Sequence, residues 1–392
     1  MLQMRKGFHL LGLCLSVLAA VSCGGDNGPE TPEETIEVTD YIFSKPSFVF
    51  GFTGQNRYSY CPSIVANTDG TSHVFFCGNP NQNIMVDNVY HIVENANGTH
   101  SPAVSILQPS LSWDSHHTCD PSVIEGQFKM DGTSYKYALF FLSNPKEYYY
   151  NEIGIAFSND LNAASWVKYP VQLVPKTWPE EGDQSLGGNA KSWGVGQPSA
   201  VSLDKKGKVL LTYTIGDSNG TRVVFREMDL SDMSKPGLGV AKDMNRAGLD
   251  NLNGASDYTC NCDFAIAPEE NKIVMVRPVQ PHPGTYPAYI PVAQEVDYMD
   301  LDGFLAGIGR WTALARIDAD VSGFPRNHNA GLSRDSFGHV KEWETPTVYF
   351  TVSKEAPDVN ASTGRHAEWT YHIYKTKLTK RVRTVTRPKQ GS

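Results

Sequence analysis

One short segment recurs five times along the chain, and this recurrence constrains the fold more than any other feature. In each copy a polar residue lies two positions before a small residue, and apolar residues follow. The small residues lie 59 to 77 positions apart. A period of this size, with one such strand per unit, predicts a β-propeller with one blade per repeat. The copies are Tyr60-Cys61-Pro62-Ser63-Ile64-Val65, Asp120-Pro121-Ser122-Val123-Ile124, Gly196-Gln197-Pro198-Ser199-Ala200-Val201, Cys262-Asp263-Phe264-Ala265-Ile266 and Asn327-His328-Asn329-Ala330-Gly331-Leu332.

Alignment of the copies on their small residue brings five polar side chains into one register. Because the first strand of each propeller blade lines the central channel, we expect these side chains to converge on one pocket. We predict an all-β chain with a single five-bladed β-propeller over residues 41–380. Pairing of residues 41–52 with the last blade is expected to close the ring and to cover its edges. The aligned residues are Cys61, Asp120, Gln197, Asp263 and His328.

Two further patterns agree with blades built from short antiparallel strands. The pattern Phe-Phe-x-x-Asn-Pro occurs at residues 75–80 and again at residues 140–145, where the second strands of the first two blades are expected to end. Asp-Gly pairs at residues 69–70 and 131–132 fall where two strands should turn back. This repetition supports the blade assignment independently of the first strands.

The first 22 residues have the features of a signal peptide. A short basic start precedes an uncharged apolar run at residues 8–21, which is too short for a membrane-spanning helix. Ala20-Val21-Ser22-Cys23 then resembles the lipobox of bacterial lipoproteins of the Bacteroidetes type, in which the new N-terminal Cys is acylated. We expect lipidation of Cys23 and a location in the cell envelope, anchored to the outer membrane on its periplasmic or surface side. An ordinary secretory signal with an incidental Cys is the alternative.

Both flanks of the predicted propeller are polar. Residues 23–40 are rich in Gly, Pro, Glu and Thr, and we predict a flexible acidic tether there. Residues 381–392 are predicted to form a solvated basic tail. The formal net charge of −8 argues against nucleic acid as a partner.

Five cysteines lie beyond the lipobox, an odd number that cannot pair completely. Cys260 and Cys262 are too close in sequence for an easy disulfide. Buried free thiols are the main expectation, and a disulfide between Cys61 and Cys77 is the alternative. No His/Cys cluster has the spacing of a structural zinc site.

Asp120 and Asp263 are the only acids among the five aligned positions. Hydrolysis of a glycosidic bond generally needs one carboxyl to protonate the leaving oxygen and another to activate water or to attack carbon. Since these two lie on non-adjacent blades, they are expected to face each other across the channel with room for a water, which favours inversion. The alternative is that both hold backbone amides at strand ends.

Six further residues are candidates for binding a substrate in or near this pocket. Imidazoles at positions 117 and 328 can protonate, bind a metal or hydrogen-bond a hydroxyl. Trp193 could stack on a sugar ring or merely cap a blade, and Arg277 could bind a carboxylate or sulfate or form an ordinary salt bridge. The candidates are Cys61, His117, Trp193, Gln197, Arg277 and His328.

With these motifs the chain resembles the five-bladed propeller glycoside hydrolases, which include family 43, the β-fructosidases and family 130. The resemblance rests on Asp120-Pro121-Ser122-Val123 and on residues 153–160 with Trp166. His328-Asn329 is similar to the His-Asn pair of family 43 arabinanases, whose His lies under the active site near a metal. The resemblance therefore implies an indirect metal role for His328, with a structural Ca²⁺ in the channel as the candidate and no other cofactor indicated.

Three positions depart from the family 43 pattern. Cys61 stands where those enzymes have a general-base Asp, Gln197 where they have an Asp that tunes a pKa, and the shorter Asp263 where they have an acidic Glu. Family 130 enzymes instead use an Asp in an Asp-Pro strand of blade two, a pattern that matches Asp120. The resemblance thus makes Asp120 the strongest catalytic candidate.

These observations support three hypotheses. The first is a lipid-anchored glycoside hydrolase, a monomer that acts on an oligo- or polysaccharide in the channel by acid/base hydrolysis. The second is a glycan-binding propeller that has lost its chemistry, which Cys61 and Gln197 favour. The third is a lyase or another carbohydrate-active enzyme that uses His and Asp.

Overall fold

The fold is nearly all β. The computed structural model describes residues 33–54, 57–81, 83, 86–145, 150–176, 194–217, 220–249, 259–279, 290–353, 359–360, 365–366 and 371–388. The predictions for the signal peptide, for Cys23 and for Trp193 lie outside these residues. The helical elements are the short α-helices Leu301–Leu305 and Ala319–Ser322 and the 3₁₀ turns Ser112–Asp114 and Pro268–Glu270. Among the described residues, no helix combines the length and the apolar character that crossing a membrane requires.

The strands form five consecutive groups of antiparallel strands, which we number as blades one to five; a short parallel contact joins blades five and one into a single nine-stranded sheet. Blade one contains Tyr58–Ala66, Ser72–Asn79, Asn88–Glu94 and Val104–Leu107. Blade two contains His117–Met130, Thr133–Asn144, Glu152–Ser158 and Val167–Lys168. Blade three contains Gly194–Ser202, Lys208–Asp217, Gly220–Asp229 and Lys242–Asp243. Blade four contains Asp263–Ala267, Lys272–Val279, Ala293–Asp300 and Thr312–Ile317, and blade five contains Arg326–Arg334, Thr347–Ser353, His372–Pro388 and Ser47–Phe50.

Apolar side chains seal each blade against the next. Five buried clusters each combine residues of two consecutive blades, and the fifth joins blade five back to blade one. This closed order confirms the prediction of a five-bladed propeller. Representative pairs from blade one onward are Phe75 with Leu139, Phe140 with Leu211, Leu210 with Phe264, Val274 with Val348, and Tyr349 with Val74.

The ring is closed by the N-terminal segment. Ser47–Phe50 pairs antiparallel with His372–Pro388 as the outer strand of blade five, as predicted. The inner strands of blades five and one also meet directly, in a short parallel contact that joins Ser333 to Ile64. Together these contacts cover the blade edges that would otherwise be open.

The flanks differ from the prediction. Glu33–Phe43 is a strand that pairs along its whole length with His372–Pro388, so the predicted flexible tether is wrong from Glu33 onward. Arg383 and Arg387 of the predicted basic tail lie in the partner strand and bind Asp40 and Glu34 at 2.6 and 2.7 Å. Two segments that are each too polar to form a core therefore pair through backbone hydrogen bonds and opposite charge. A small separate hairpin is formed by Val359–Asn360 and Arg365–His366.

Candidate active site

Each blade has one non-glycine residue with left-handed backbone in its inner strand or just before it. In blades one, two, three and five this residue lies in a β-bulge, where the pairing register with the second strand shifts. In blade four it lies two positions before the inner strand. A positive φ is uncommon outside Gly, and bulges of this kind re-aim side chains next to active sites. The five residues are Cys61 (φ 51°), Asp120 (φ 46°), Gln197 (φ 53°), Asn261 (φ 48°) and Asn329 (φ 43°).

These five residues, which we call the pocket layer, converge on one pocket. All of them line a cleft with about 350 Å³ of open space, together with the residues that follow them. Each is half-buried, whereas the residue after it is buried. In the first three blades that next residue is Pro, which suits a bulge because the ladder needs no N–H there. The prediction that the inner strands share a polar pocket is therefore confirmed.

The predicted register is wrong in two blades. It placed Asp263 and His328 beside Cys61, Asp120 and Gln197, but the pocket layer instead contains Asn261 and Asn329. The sequence alignment rested on small residues after the bulge, and blades four and five lack the Pro that marks the bulge in the others. Tolerance of left-handed backbone, which is high for Asn, is the signal that could have identified both residues.

A second ring of polar groups lies one step further along the inner strands. Its members follow the pocket layer by two positions, and each accepts a hydrogen bond from a backbone N–H of the next blade. We call this ring the belt. The bonds run from Val123 N to Ser63 Oγ (3.3 Å), Ala200 N to Ser122 Oγ (2.9 Å), Phe264 N to Ser199 Oγ (2.9 Å) and Leu332 N to Asp263 Oδ2 (2.8 Å).

Blade five completes the belt without a side chain. Gly331 occupies the equivalent position, and a Cβ there would lie 2.0 Å from the carbonyl oxygen of Pro62. The close approach of the two backbones thus requires Gly, and direct pairing of Ser333 with Ile64 replaces the side-chain bond.

Asp263 belongs to the belt, which changes its predicted role. Its Oδ1 accepts a hydrogen bond from Ser199 Oγ at 2.6 Å and lies 3.4 Å from Nη1 of Arg334, while Oδ2 accepts from Leu332 N. Arg334 is fully buried and also donates to Ser122 Oγ at 2.9 Å. Although Asp263 reaches the pocket wall, both of its oxygens are held by the framework. The structure therefore favours the alternative in which this Asp holds backbone amides.

Asp120 is the one acid of the pocket layer. Its carboxylate accepts a hydrogen bond from the Cys61 thiol, and its backbone N–H donates to Cys77 Sγ at 2.8 Å. Burial raises the pKa of Asp120 to about 6, with a contribution from the negative charge of Asp87 and an opposing one from the Cys61 hydrogen bond. Burial, and then the charge of Asp120, raise the pKa of the Cys61 thiol well above its usual value.

A disulfide lies against this acid. Cys77 and Cys119 are bonded, with their Cα atoms 5.0 Å apart, so the expectation of free thiols is wrong for both, as is the Cys61–Cys77 alternative. The two cysteines come from the second strand of blade one and the inner strand of blade two, 42 residues apart in sequence, and the packing of these consecutive blades brings them together. Cys61, Cys260 and Cys262 are not disulfide-bonded.

Asp87, which the sequence did not single out, lies behind the pocket layer. The Tyr60 hydroxyl donates to its Oδ2 at 3.1 Å and lies 3.1 Å from Cys119 Sγ. His117 Nδ1 lies 3.5 Å from the same carboxylate oxygen. His117 thus faces Asp87 and is not among the residues that line the pocket, contrary to the predicted contact with substrate. Asp87 directly precedes the strand that begins at Asn88, and it belongs to no recognisable sequence motif.

Two other predicted ligands are buried away from the pocket. Arg277 is fully buried and binds Glu295 at 2.7 Å and Asp297 at 2.9 Å, so the salt-bridge alternative is correct. His328 packs against Tyr371 with ring centroids 4.5 Å apart, and burial lowers its pKa to about 3. His328 is therefore neutral and cannot serve as an acid.

One group of side chains among the described residues has metal-ligand spacing. It consists of Cys61, Cys77, Cys119 and Asp120 and does not include His328. The predicted metal role of His328 gains no support from this geometry.

The fold is similar to solved structures of glycoside hydrolases. A family 117 glycoside hydrolase of Zobellia galactanivorans shares 9% identity over 87% of this chain and 90% of its own, with a TM-score of 0.53. The catalytic domain of a family 62 α-L-arabinofuranosidase of Coprinopsis cinerea shares 13% identity over 87% and 98%, with a TM-score of 0.54. An α-L-arabinofuranosidase of Lactobacillus brevis shares 10% over 82% and 90%, with a TM-score of 0.51. No family model and no curated protein matches the sequence, so the likeness is one of fold.

Proposed function

We propose that the chain is a glycoside hydrolase that acts on an oligo- or polysaccharide in the central pocket, with Asp120 as its proton-transfer group. The observation that carries the proposal is the half-buried Asp120 carboxyl at a left-handed bulge, with a pKa raised to about 6. Left-handed backbone outside Gly costs about 1–3 kcal/mol and tends to persist at functional sites. An acid with a pKa near the working pH is suited to protonate a glycosidic oxygen.

Cys61 is the second group of this site. Its thiol donates to Asp120, and Asn329 Nδ2 donates to its sulfur at 2.8 Å. Asp120 and Cys61 therefore form a hydrogen-bonded acid–thiol pair at the pocket surface, while Gln197, Asn261 and Asn329 supply amides for sugar hydroxyls. Such a set of few convergent polar groups in a concave site is typical of ligand pockets.

A glycan-binding propeller without chemistry is the second candidate function. The observation in its favour is the engagement of Asp263 by Ser199 and Leu332, which leaves Asp120 as the one carboxyl free to act in the pocket layer. Glycosidases generally use two carboxyl groups. Under this hypothesis the same amides bind the sugar and nothing cleaves it.

A screen of a glycan panel tests the choice between the two functions. The purified protein is incubated with each glycan, and new reducing ends are quantified for the wild type and for Asp120→Asn. The proposal expects cleavage of at least one glycan by the wild type and a loss of about 10²- to 10⁴-fold in the variant. Binding without cleavage in the wild type would replace the hydrolase with the binding function.

We also propose the lipid anchor at Cys23 and an outer-membrane location. The Cys77–Cys119 disulfide supports an oxidising compartment, since such bonds persist outside the cytosol. Cys23→Ala should abolish incorporation of labelled palmitate and leave an unprocessed precursor in the producing cell. Identical labelling of the variant and the wild type would contradict the anchor without affecting the proposed reaction.

A further inference from the structure

Three sulfurs and a carboxylate meet beside the pocket, which Cys61 and Asp120 line and behind which Cys77 and Cys119 are buried. The Sγ atoms of Cys61, Cys77 and Cys119 and a carboxylate oxygen of Asp120 all lie within 4.8 Å of one another. Asp120 Oδ1 is 3.3 Å from Cys119 Sγ and 3.6 Å from Cys77 Sγ. The four residues come from the inner and second strands of blade one and the inner strand of blade two.

The surroundings of these sulfurs already contain hydrogen-bond donors. The Asp120 backbone N–H points at Cys77 Sγ, Asn329 Nδ2 at Cys61 Sγ, and the Tyr60 hydroxyl lies 3.1 Å from Cys119 Sγ. Donors of this kind orient ligands and tune them when a metal is bound. Two of the three sulfurs, those of Cys61 and Cys77, thus have a donor that would support a thiolate, while the Tyr60 hydroxyl beside Cys119 gives its proton to Asp87.

We propose that reduction of the Cys77–Cys119 disulfide converts this cluster into a binding site for a thiophilic divalent cation of the Zn²⁺ class, with Cys61, Cys77, Cys119 and Asp120 as ligands. A dithiol reductant supplies two electrons and two protons, the S–S bond breaks into two thiols, and the reductant becomes a disulfide. The cation then takes the place of the thiol protons, which leave to solvent.

The spacing suits a tetrahedral ion after a small rearrangement. Zn–S bonds of about 2.3 Å place the sulfurs of a tetrahedral site roughly 3.8 Å apart. The contacts of Asp120 with Cys77 and Cys119 are already near this range, and the four ligand atoms span no more than 4.8 Å. The main movement is separation of the two formerly bonded sulfurs, which side-chain rotation can provide because their Cα atoms are fixed 5.0 Å apart by the strands. Three sulfurs with one carboxylate favour Zn²⁺ over Ca²⁺ or Mg²⁺.

The two states of the cluster exclude each other. With the disulfide formed, two of the four ligands are unavailable, and Asp120 faces the pocket. With the metal bound, Asp120 becomes a ligand and no longer exchanges protons with a substrate. Metal binding is measured without any substrate, so its outcome is distinguishable from that of the proposed hydrolysis.

Cobalt titration of the full chain under nitrogen tests the site. The protein is reduced with a phosphine, which gives two electrons to the disulfide and takes the oxygen of a water to become the phosphine oxide while the two protons of that water go to the thiols, and both phosphine species are then removed by gel filtration. Co²⁺ is added while the sulfur-to-cobalt charge-transfer band and the visible bands of tetrahedral Co²⁺ are recorded, and Zn²⁺ is used to displace it. We expect one equivalent of Co²⁺ with thiolate bands after reduction and none before.

Variants assign the ligands. Cys61→Ser and Asp120→Asn should each weaken binding at least about tenfold, and the double change Cys77→Ser with Cys119→Ser should abolish it. Cys260→Ser changes a buried cysteine that is outside the cluster and in no disulfide; it is the matched control and should bind as the wild type does. Circular dichroism verifies that each variant is folded. Absence of thiolate bands in the reduced wild type, or binding unaffected by Cys61→Ser and Asp120→Asn, would overturn the proposal.

Discussion

The pocket layer and the belt lie two residues apart on the same inner strands, yet they have opposite properties. The pocket layer has left-handed backbone and half-buried side chains that face a cleft. The belt has side-chain oxygens that accept backbone N–H groups across every blade boundary but one. Asp120 and Asp263 show the difference most clearly, since they are the same residue type in the two layers.

The comparison shows that position on the strand, and not residue type, decides what an Asp does here. In the belt both oxygens of Asp263 are bonded and compensate the buried charge of Arg334. In the pocket layer burial disfavours the charged form of Asp120 and raises its pKa. The belt therefore holds the ring together so that the pocket layer can keep strained backbone and a perturbed acid.

Removal of the buried cation should have the largest effect. Arg334→Met leaves Asp263 without its positive partner and also removes bonds to Ser122 and to the Phe264 carbonyl. Breaking a buried ion pair from one side costs about 3–5 kcal/mol, and urea unfolding should show a loss of that size. A free energy of unfolding equal to that of the wild type would mean that the belt does not stabilise the ring.

Neutralising Asp263 should have a slightly smaller effect on stability, because the bonds of Arg334 to Ser122 and to the Phe264 carbonyl remain. Asp263→Asn keeps one acceptor oxygen but leaves the fully buried Arg334 without its countercharge. Since this too breaks the buried pair from one side, we expect a loss of about 3–5 kcal/mol in the free energy of unfolding. Ser63→Ala, which removes a neutral belt acceptor, is the matched control and should lose less.

The pH dependence of the free energy of unfolding tests the perturbed acid of the pocket layer. Because the folded-state pKa of Asp120 is raised to about 6 from an unfolded value near 3.9, the folded state binds more protons between these values. Stability is then greatest below about pH 4 with respect to this group and is lost as the pH rises through about 6. The free energy of unfolding should fall less with rising pH over this range for Asp120→Asn than for the wild type. Parallel curves would contradict the raised pKa.

The two-stranded ribbon that Glu33–Phe43 forms with His372–Pro388 should contribute least to the free energy of unfolding. Arg383 pairs with Asp40 at the exposed edge of the molecule, and exposed pairs are worth about 0.2–1 kcal/mol. Arg383→Ala should therefore change the free energy of unfolding by less than about 1 kcal/mol, and added salt should erase even that. A loss as large as that of Arg334→Met would show that the ribbon, and not the belt, holds the ring closed.

Much of the fold was predictable because the sequence of the inner strands repeats. In blades one to three a Pro directly after the bulge residue also identifies the pocket position. The site was less predictable, because Asn261 and Asn329 lack that mark and because a two-residue shift converts a pocket position into a belt position. Arg277 and His328 were plausible ligands by residue type alone. Their surroundings depend on Glu295, Asp297 and Tyr371, which the pairing of strands within blades four and five brings to them.

The disulfide and the pairing of the terminal strands were not predicted from the sequence, for a related reason. Cys77 and Cys119 lie on different blades, and Glu33–Phe43 meets His372–Pro388 across nearly the whole length of the chain. The first contact follows from the packing of blade one on blade two and the second from the meeting of the chain ends in blade five, and no local pattern indicates either.

The most direct test of the account compares Asp120→Asn with Asp263→Asn in two assays, turnover of a glycan found by the panel screen and unfolding in urea. The account predicts that Asp120→Asn loses about 10²- to 10⁴-fold in turnover while its free energy of unfolding, compared at about pH 4 where the wild-type carboxyl is protonated, stays within about 1 kcal/mol of the wild type. Asp263→Asn should instead lose about 3–5 kcal/mol of stability and keep most of its turnover per folded molecule. The reverse pattern, with Asp263 required for turnover and Asp120 dispensable, would contradict the division between pocket layer and belt.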